Sequence, residues 1–282
     1  MEEQGDDVDV KVISDEILCK AFTLVYCINL LRRVDRWDTF CSCMQSNLGQ
    51  GCKRFINKVQ RFDAVDGSDD SLISKNDDID FPIRDWDASN NALYDRHIQP
   101  PMNKFMAPGE VGCAMSHAKL WRLLDERQNV QDTMLILEDD AVFYNNERNG
   151  NRMNFLNAFM SVWNVLPSDW HIIYLGFSPR GKRIPVNIKT VETQHMPVDV
   201  RLFRPTYGFH THAYALSKTA ASTLLFNGPI NGPVDVWLAD NNWFGLNVYC
   251  AVVANEGYNN KGAFLISQQR HKSDSDIRQS GR

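Results

Sequence analysis

The chain has 282 residues, of which 43% are hydrophobic, 11% aromatic and 23% charged. That balance excludes an extended disordered chain, a collagen-like repeat and a coiled coil, and the length allows one large domain or two small ones. With 35 acidic against 30 basic residues the formal net charge is −5, the opposite of what a sequence-independent nucleic-acid binder carries.

Residues 1–15 are acidic and lack an apolar pattern, which predicts a frayed tail rather than a secretory leader. The longest apolar stretch, residues 17–31, is interrupted by Lys20 and closed by Arg32 and Arg33, too short to span a membrane. Within it, Ala21 to Leu30 reads as a buried strand. Arg32 to Met44 mixes charge with Trp37 and Phe40 as an amphipathic helix does. Lys58 to Val65 predicts a second strand, stopped by Asp66 and Gly67. Ser68 to Met106 is polar and carries Pro82, Pro100 and Pro101, which predicts a long loop or a set of short pieces.

Pro108-Gly109-Glu110 reads as a helix entry. Beyond it Val111, Met115, Ala118, Leu120, Trp121 and Leu124 recur at helical spacing, so residues 111–126 are expected to be a buried helix. Strands are expected at Thr133–Leu137, Trp170–Leu175, His212–Leu216 and Val248–Val253. Helices are expected at Phe155–Val165, Lys218–Phe226 and within Asn231–Asn242. Pro179 to Arg201 reads as a loop or an edge hairpin. Strands alternating with helices predict an α/β domain with a largely parallel sheet. The expected layout is one domain over residues 16–270 between loose tails at 1–15 and 271–282. Seven cysteines, an odd count without a leader, point to reduced thiols. Cys41, Cys43 and Cys52 cluster but lack the fourth ligand that a zinc site needs. The expectation is a soluble, cytoplasmic protein.

The strongest local chemistry lies at Leu135-Ile136-Leu137-Glu138-Asp139-Asp140. A hydrophobic strand is favourable to bury, whereas three carboxylates at its end are costly unless compensated. Strand periodicity places Glu138 and Asp140 on one side and Asp139 on the other. Ligands of open α/β sheets sit at strand carboxyl ends, and acids there suit a hard divalent cation that bridges diphosphate oxygens. A solvated acidic turn is the plain alternative. A second group, Ile28 to Arg36, ends a strand in Asn29 and Leu30, followed by Arg32 and Arg33. Amides at such an end bind a base or ribose edge, and arginine forks suit phosphate; the same charges also suit a helix start. No glycine-rich dinucleotide loop or Walker-type lysine follows, so those familiar sites are not indicated. The third group, Gly109 to Trp121, puts Ser116 and His117 on an otherwise buried helix, where each needs a hydrogen-bond partner. Neighbours on a helix point apart, so they are no nucleophile–base pair. Cys113 has no basic neighbour to activate it and reads as packing.

Taken together, these segments resemble glycosyltransferase family 25, in the family's order over residues 22–277. The first-strand motif stands at Ile28–Arg36. The family's AVDG is Ala64-Val65-Asp66-Gly67, and its small-residue Ser-His helix is Gly112–His117 with Trp121. The acidic motif is Leu137–Asp140. Later pieces are Trp170–Gly176, Thr211–Ser217, Pro233-Val234-Asp235 and, more weakly, Gln268 or Gln269 with Ser273 and Ile277.

The resemblance implies a GT-A-type nucleotide-sugar fold, a mixed and mostly parallel central sheet flanked by helices. It implies a UDP-sugar donor, a Mn2+ or Mg2+ ion, and inverting transfer to a glycan or glycoprotein acceptor. The ion would sit on Asp140, with Glu138 or Asp139 close by. Asn29, Leu30 and Asp66 would face uridine and ribose, and Arg32 or Arg33 the phosphates. Ser116 and His117 would line the donor pocket. Inversion needs one general base on the acceptor hydroxyl; Asp235 is the first candidate and Asp240 the second. Trp237 and Trp243 would cover an apolar sugar face. The acidic motif reads Glu-Asp-Asp rather than Asp-x-Asp, and a late histidine ligand could be His271, His210 or His212. A retired, carbohydrate-binding member of the same fold is the alternative. A sugar-nucleotide nucleotidyltransferase is disfavoured by the missing glycine-rich phosphate loop.

Overall fold

A computed structural model describes residues 15–69, 85–87, 103–146, 153–186, 200–253 and 263–269. Helix α1 (residues 15–21) leads into β1 (Leu24–Asn29). There follow α2 (Val34–Leu48), α3 (Lys53–Lys58), β2 (Val59–Asp63), α4 (Pro108–Asp125), β3 (Thr133–Glu138) and β4 (Ala141–Phe143). The second half carries α5 (Phe155–Val165), β5 (Ile172–Pro179), β6 (Arg183–Pro185), β7 (Val200–Pro205) and β8 (Gly208–Ser217). It closes with α6 (Lys218–Phe226), α7 (Val234–Asp240), β9 (Val248–Val253), β10 (Ala263–Phe264) and β11 (Ile266–Gln268).

The main sheet runs in the order β6-β7-β9-β5-β8-β3-β1-β2, with β10 added to β9. β1 pairs parallel with β2 and β3, and β9 parallel with β5. β8 is inserted antiparallel between β3 and β5. The sheet is therefore mixed, parallel on the β1 side, with β7 and β10 reversed beside β9 and β8 reversed between β3 and β5. That reversal has a consequence for the site. The beginning of β8 arrives at the edge where β1 and β3 end.

Side chains alternate between two cores, as the period of a strand requires. On β3, Met134 and Ile136 face one core, while Leu135 and Leu137 face the other. The first core takes Trp121 and Leu124 of α4, Leu224 of α6 and Trp237 of α7. The second takes Leu18, Phe40, Phe55, Phe155 and Phe159 from α1, α2, α3 and α5. Each large apolar side chain buried this way contributes roughly 1.5–3 kcal/mol. Both faces of the sheet are covered, which is why its central strands read as unbroken apolar runs.

Several elements differ from the sequence reading. α2 starts at Val34 rather than at Arg32 and runs on to Leu48, because Arg33 still has non-helical backbone angles. The expected strand at residues 212–216 begins at Gly208. The polar side chains of His210, Thr211 and His212 interrupt the apolar pattern that would have marked it. β7 pairs with β6 as an edge ribbon, in line with the hairpin alternative for that stretch. α3, β4 and β11 are too short to be read from periodicity. Both expected tails, apart from Asp15, and most of Ser68–Met106 lie outside the described residues. Asp15 is not frayed: it is buried, and its carboxylate accepts the N–H groups of Arg54 and Phe55, both at 2.9 Å.

Candidate active site

The ends of β1 and β3 lie side by side, and the acidic motif is held there by neighbours from five elements. Asn29 closes β1 and is 1% exposed. Its amide Nδ2 donates to Asp139 Oδ2 at 2.6 Å and to the carbonyl of Arg33 at 3.1 Å. Arg36, on the first turn of α2, pairs with Asp139 and stands 3.8 Å from Asp140 Oδ2. Gln268 of β11 donates to the same Asp140 oxygen at 2.9 Å. Glu138 turns elsewhere. Its Oε1 accepts from Thr211 Oγ1 at 3.0 Å and faces His117 Nε2 at 3.6 Å.

This corrects the strand-alternation argument. β3 ends at Glu138, and Asp139 and Asp140 form the following turn, so the period of two no longer applies. Asp139 and Asp140 share Arg36, and Glu138 is the one that faces away. Among the described residues, Asn29 Oδ1 and Asp140 Oδ1 are buried without a hydrogen-bond partner.

The electrostatics follow from this placement. Burial pushes the Asp140 carboxyl up to about 7, with the charge of Glu138 adding to the shift and Arg36 opposing it. Burial also raises Asp139, against the pull of Arg36 and Asn29. Burial alone would raise Glu138, but His117, His212 and Thr211 outweigh it and hold that carboxyl below its ordinary range.

Helix α4 is fastened to the AVDG segment backbone to backbone. A Cβ on Gly67 would stand 1.6 Å from the carbonyl oxygen of Pro108, and one on Gly112 2.4 Å from that of Val65. Only glycine allows this approach. Ser116 Oγ accepts from the Val65 N–H at 2.9 Å and donates to the Gly112 carbonyl at 2.7 Å. Its side chain is fully buried and committed to this junction, so the expectation that Ser116 lines a donor pocket is corrected. Asp66, next in the segment, pairs with Arg32 and accepts from the Ser68 hydroxyl and N–H. Arg33 pairs with Asp35, and Leu30 shapes the turn by accepting from Arg33 N–H and Arg61.

The model of glycosyltransferase family 25 (LPS biosynthesis protein) matches residues 22–238. The chain belongs to that family. It is 26% identical over 219 residues to mouse procollagen galactosyltransferase 2, covering 77% of this chain and 30% of the relative. It is 27% identical over 205 residues to the procollagen lysyl hydroxylase and glycosyltransferase of Acanthamoeba polyphaga mimivirus, covering 71% and 19%. Human inactive glycosyltransferase 25 family member 3 is 31% identical over 142 residues, covering 49% and 21%. The chain thus spans a third or less of each of these relatives.

In this family 25 chain the fold is GT-A-like, a mixed sheet flanked by helices. Asp235 lies at the start of α7, where its Oδ2 accepts the N–H of His210 at 2.8 Å and its Oδ1 that of Val236 at 2.8 Å. Burial raises its carboxyl, against both of those N–H groups. His210 adopts a left-handed φ of 72°, within the irregularity where β8 shifts register against β5. Asp240 sits at the other end of α7, a helix length from Asp235.

The acceptor role expected of Trp237 and Trp243 is corrected. They are 3% and 2% exposed. Trp237 stacks on Trp121 at 6.1 Å, and the Trp243 indole donates to the Tyr174 hydroxyl at 3.2 Å. Their faces serve the core. His212 is buried against the Ile266 carbonyl, His210 donates or accepts at Ser178 Oγ, and His271 lies outside the described residues. The sequence reading missed Arg36 and Thr211. Arg36 stood inside a quoted motif, three residues beyond Arg33, and one helical turn brings it to the acids.

Proposed function

We propose that this chain is an inverting, metal-dependent glycosyltransferase that moves a hexose from a UDP-sugar to a hydroxyl of a glycan or glycoprotein. Galactose or glucose is the favoured sugar, with another UDP-sugar such as xylose as the next. The observation that carries the reading is the Asn29–Asp139–Arg36–Asp140 constellation at the paired ends of β1 and β3, in a family 25 chain.

The residues present fit a Mn2+ or Mg2+ ion. Asp139 and Asp140 are hard oxygen donors, and Asp140 Oδ1 is a buried oxygen without a hydrogen-bond partner. Such an ion, when bound, neutralises the leaving diphosphate. Asp139 and Asp140 would hold it, with Arg36 setting their orientation and Gln268 fixing one Asp140 oxygen. Of the two candidates to stand beside Asp140, Glu138 faces His117 and Thr211, which favours Asp139 as the second carboxylate. Asn29 Oδ1 is a buried acceptor available to a base or ribose donor, and Leu30, Arg32, Arg33 and Asp66 flank it on the β1–α2 and AVDG turns.

Asp235 takes the role of general base. Burial makes its carboxylate a better proton acceptor, and two backbone N–H groups fix its direction. Calorimetric titration with UDP, with and without Mn2+, tests the donor half. Metal-dependent UDP binding that disappears in Asp140→Ala is expected. Binding indifferent to the ion would overturn the reading. The second reading, an inactive carbohydrate-binding or scaffold protein on the same fold, is favoured by the 31% identity to the inactive human relative. A panel of UDP-sugars screened for hydrolysis separates the two. All seven cysteines are free thiols. No helix among the described residues is long and apolar enough to cross a membrane.

A further inference from the structure

Cys113 and His117 stand one helical turn apart on the face of α4 that meets the end of β3. Cys113 Sγ, His117 Nε2 and a carboxylate oxygen of Glu138 all lie within 4.8 Å of one another. The histidine is fully buried, and its Nε2 makes no hydrogen bond. Its distance to Glu138 Oε1, 3.6 Å, is beyond hydrogen-bond range. The two stand at ion-pair distance, a separation that also leaves room for a cation held between them and the Cys113 thiol.

We propose that Cys113, His117 and Glu138 form a binding site for a borderline-soft divalent cation of the zinc class, separate from the ion of the sugar-nucleotide reaction. Mixed thiolate, imidazole and carboxylate donors select such an ion over Mg2+ or Mn2+. Nitrogen and oxygen ligands held about 2.1 Å from a tetrahedral ion stand roughly 3.4 Å apart, close to the His117–Glu138 separation. Supporting contacts around the three ligands are also in place. His117 Nδ1 is hydrogen-bonded to the Tyr214 hydroxyl at 2.9 Å, and that hydroxyl accepts from the Trp121 indole at 2.8 Å. Glu138 Oε1 is in turn held by Thr211. Ligating histidines and carboxylates are oriented by partners of this kind. The thiolate and the carboxylate together balance the dication, and the fourth position is left to water. The ion would tie α4 to β3 beside Asp139, and this inference does not depend on the transfer reaction.

The test uses the full chain, stripped of metal and titrated with Co2+, whose thiolate complexes show an intense near-ultraviolet charge-transfer band. The band is expected in the unmodified protein and in Cys41→Ser, and absent in Cys113→Ser. Its absence from the unmodified protein, or its survival in Cys113→Ser, would overturn the proposal. If Cys113→Ser does not fold, Glu138→Gln carries the test. It is expected to weaken Co2+ binding, read from the titration of the band, at least tenfold, and an unchanged affinity would overturn the site. Asp140→Asn separates this site from the proposed activity: it is expected to keep the cobalt band while losing Mn2+-dependent UDP binding. A band lost in Asp140→Asn would also overturn the separate site.

Discussion

Asn29 holds Asp139 across the sheet, its amide nitrogen 2.6 Å from the carboxylate oxygen. Asn29 ends β1 and Asp139 opens the turn just past the end of the adjacent parallel strand β3, so one hydrogen bond fixes the direction of the acidic turn relative to β1. Replacing Asn29 by Ala releases that carboxylate. Metal-dependent transfer is expected to fall about 10–100-fold, the range typical of partners that orient a ligand. The Mn2+ concentration needed for half-maximal rate should rise as well. Kinetics at varied Mn2+ check this, and a loss with unchanged metal dependence would refute the positioning role.

The pH dependence follows from Asp140. Its carboxyl is raised to about 7 by burial, above its ordinary 3.8. Between those values the metal-free folded chain holds a proton that the unfolded chain has released. The stability contributed by this group is therefore fully present below about pH 4 and is lost as pH rises through about 7. Urea unfolding midpoints in a chelator should fall over that window, and Asp140→Asn should flatten the trend. An unchanged slope in the variant would assign it to other groups.

Asp235→Asn keeps the shape of the side chain but removes the proton acceptor. Transfer is expected to drop about 10²–10⁴-fold, as for loss of a general base. Binding of UDP with Mn2+ should remain, because the hydrogen bonds of Asp235 go to His210 and Val236 rather than to the Asp139–Asp140 turn. Rate and binding measured on the same preparation decide it. Equal losses of both would move Asp235 out of the catalytic step.

Ser116→Ala leaves the Val65 N–H buried without its acceptor, at a cost of about 1–3 kcal/mol. Gly112→Ala forces backbone apart from backbone and should be worse. Denaturant midpoints for both variants provide the check. A silent Ser116→Ala would mean that the junction is held by packing alone.

Trp237→Ala is expected to cost about 3–5 kcal/mol through the cavity it opens beneath Trp121. At temperatures where the variant is still folded, the KM for the acceptor should not change. A selective rise in that KM would restore the sugar-platform role.

The elements legible in the sequence were those with one strong period. β3, α5, α6 and β9 follow their apolar patterns closely, and Gly112 and Gly67 stood in quoted motifs. What was not legible depended on where an element ends. Glu138, Asp139 and Asp140 look like three more strand positions until β3 stops at the first of them. Thr211 and His210 break the apolar run of β8, and their approach to Glu138 and Asp235 arises from the reversal of that strand. A tryptophan beside an aspartate has the same composition in a core as at a sugar site. Only the burial of the α7 face distinguishes them.

The contact of Gly67 with Pro108 also bears on how such a protein can change. The two ends of the sequence between Gly67 and Pro108 therefore meet at one point of the structure. A segment whose two ends already touch can be lengthened, trimmed or exchanged at little thermodynamic expense to the rest of the fold. That stretch of sequence is a natural cassette, free to diversify while the strand ends stay as they are.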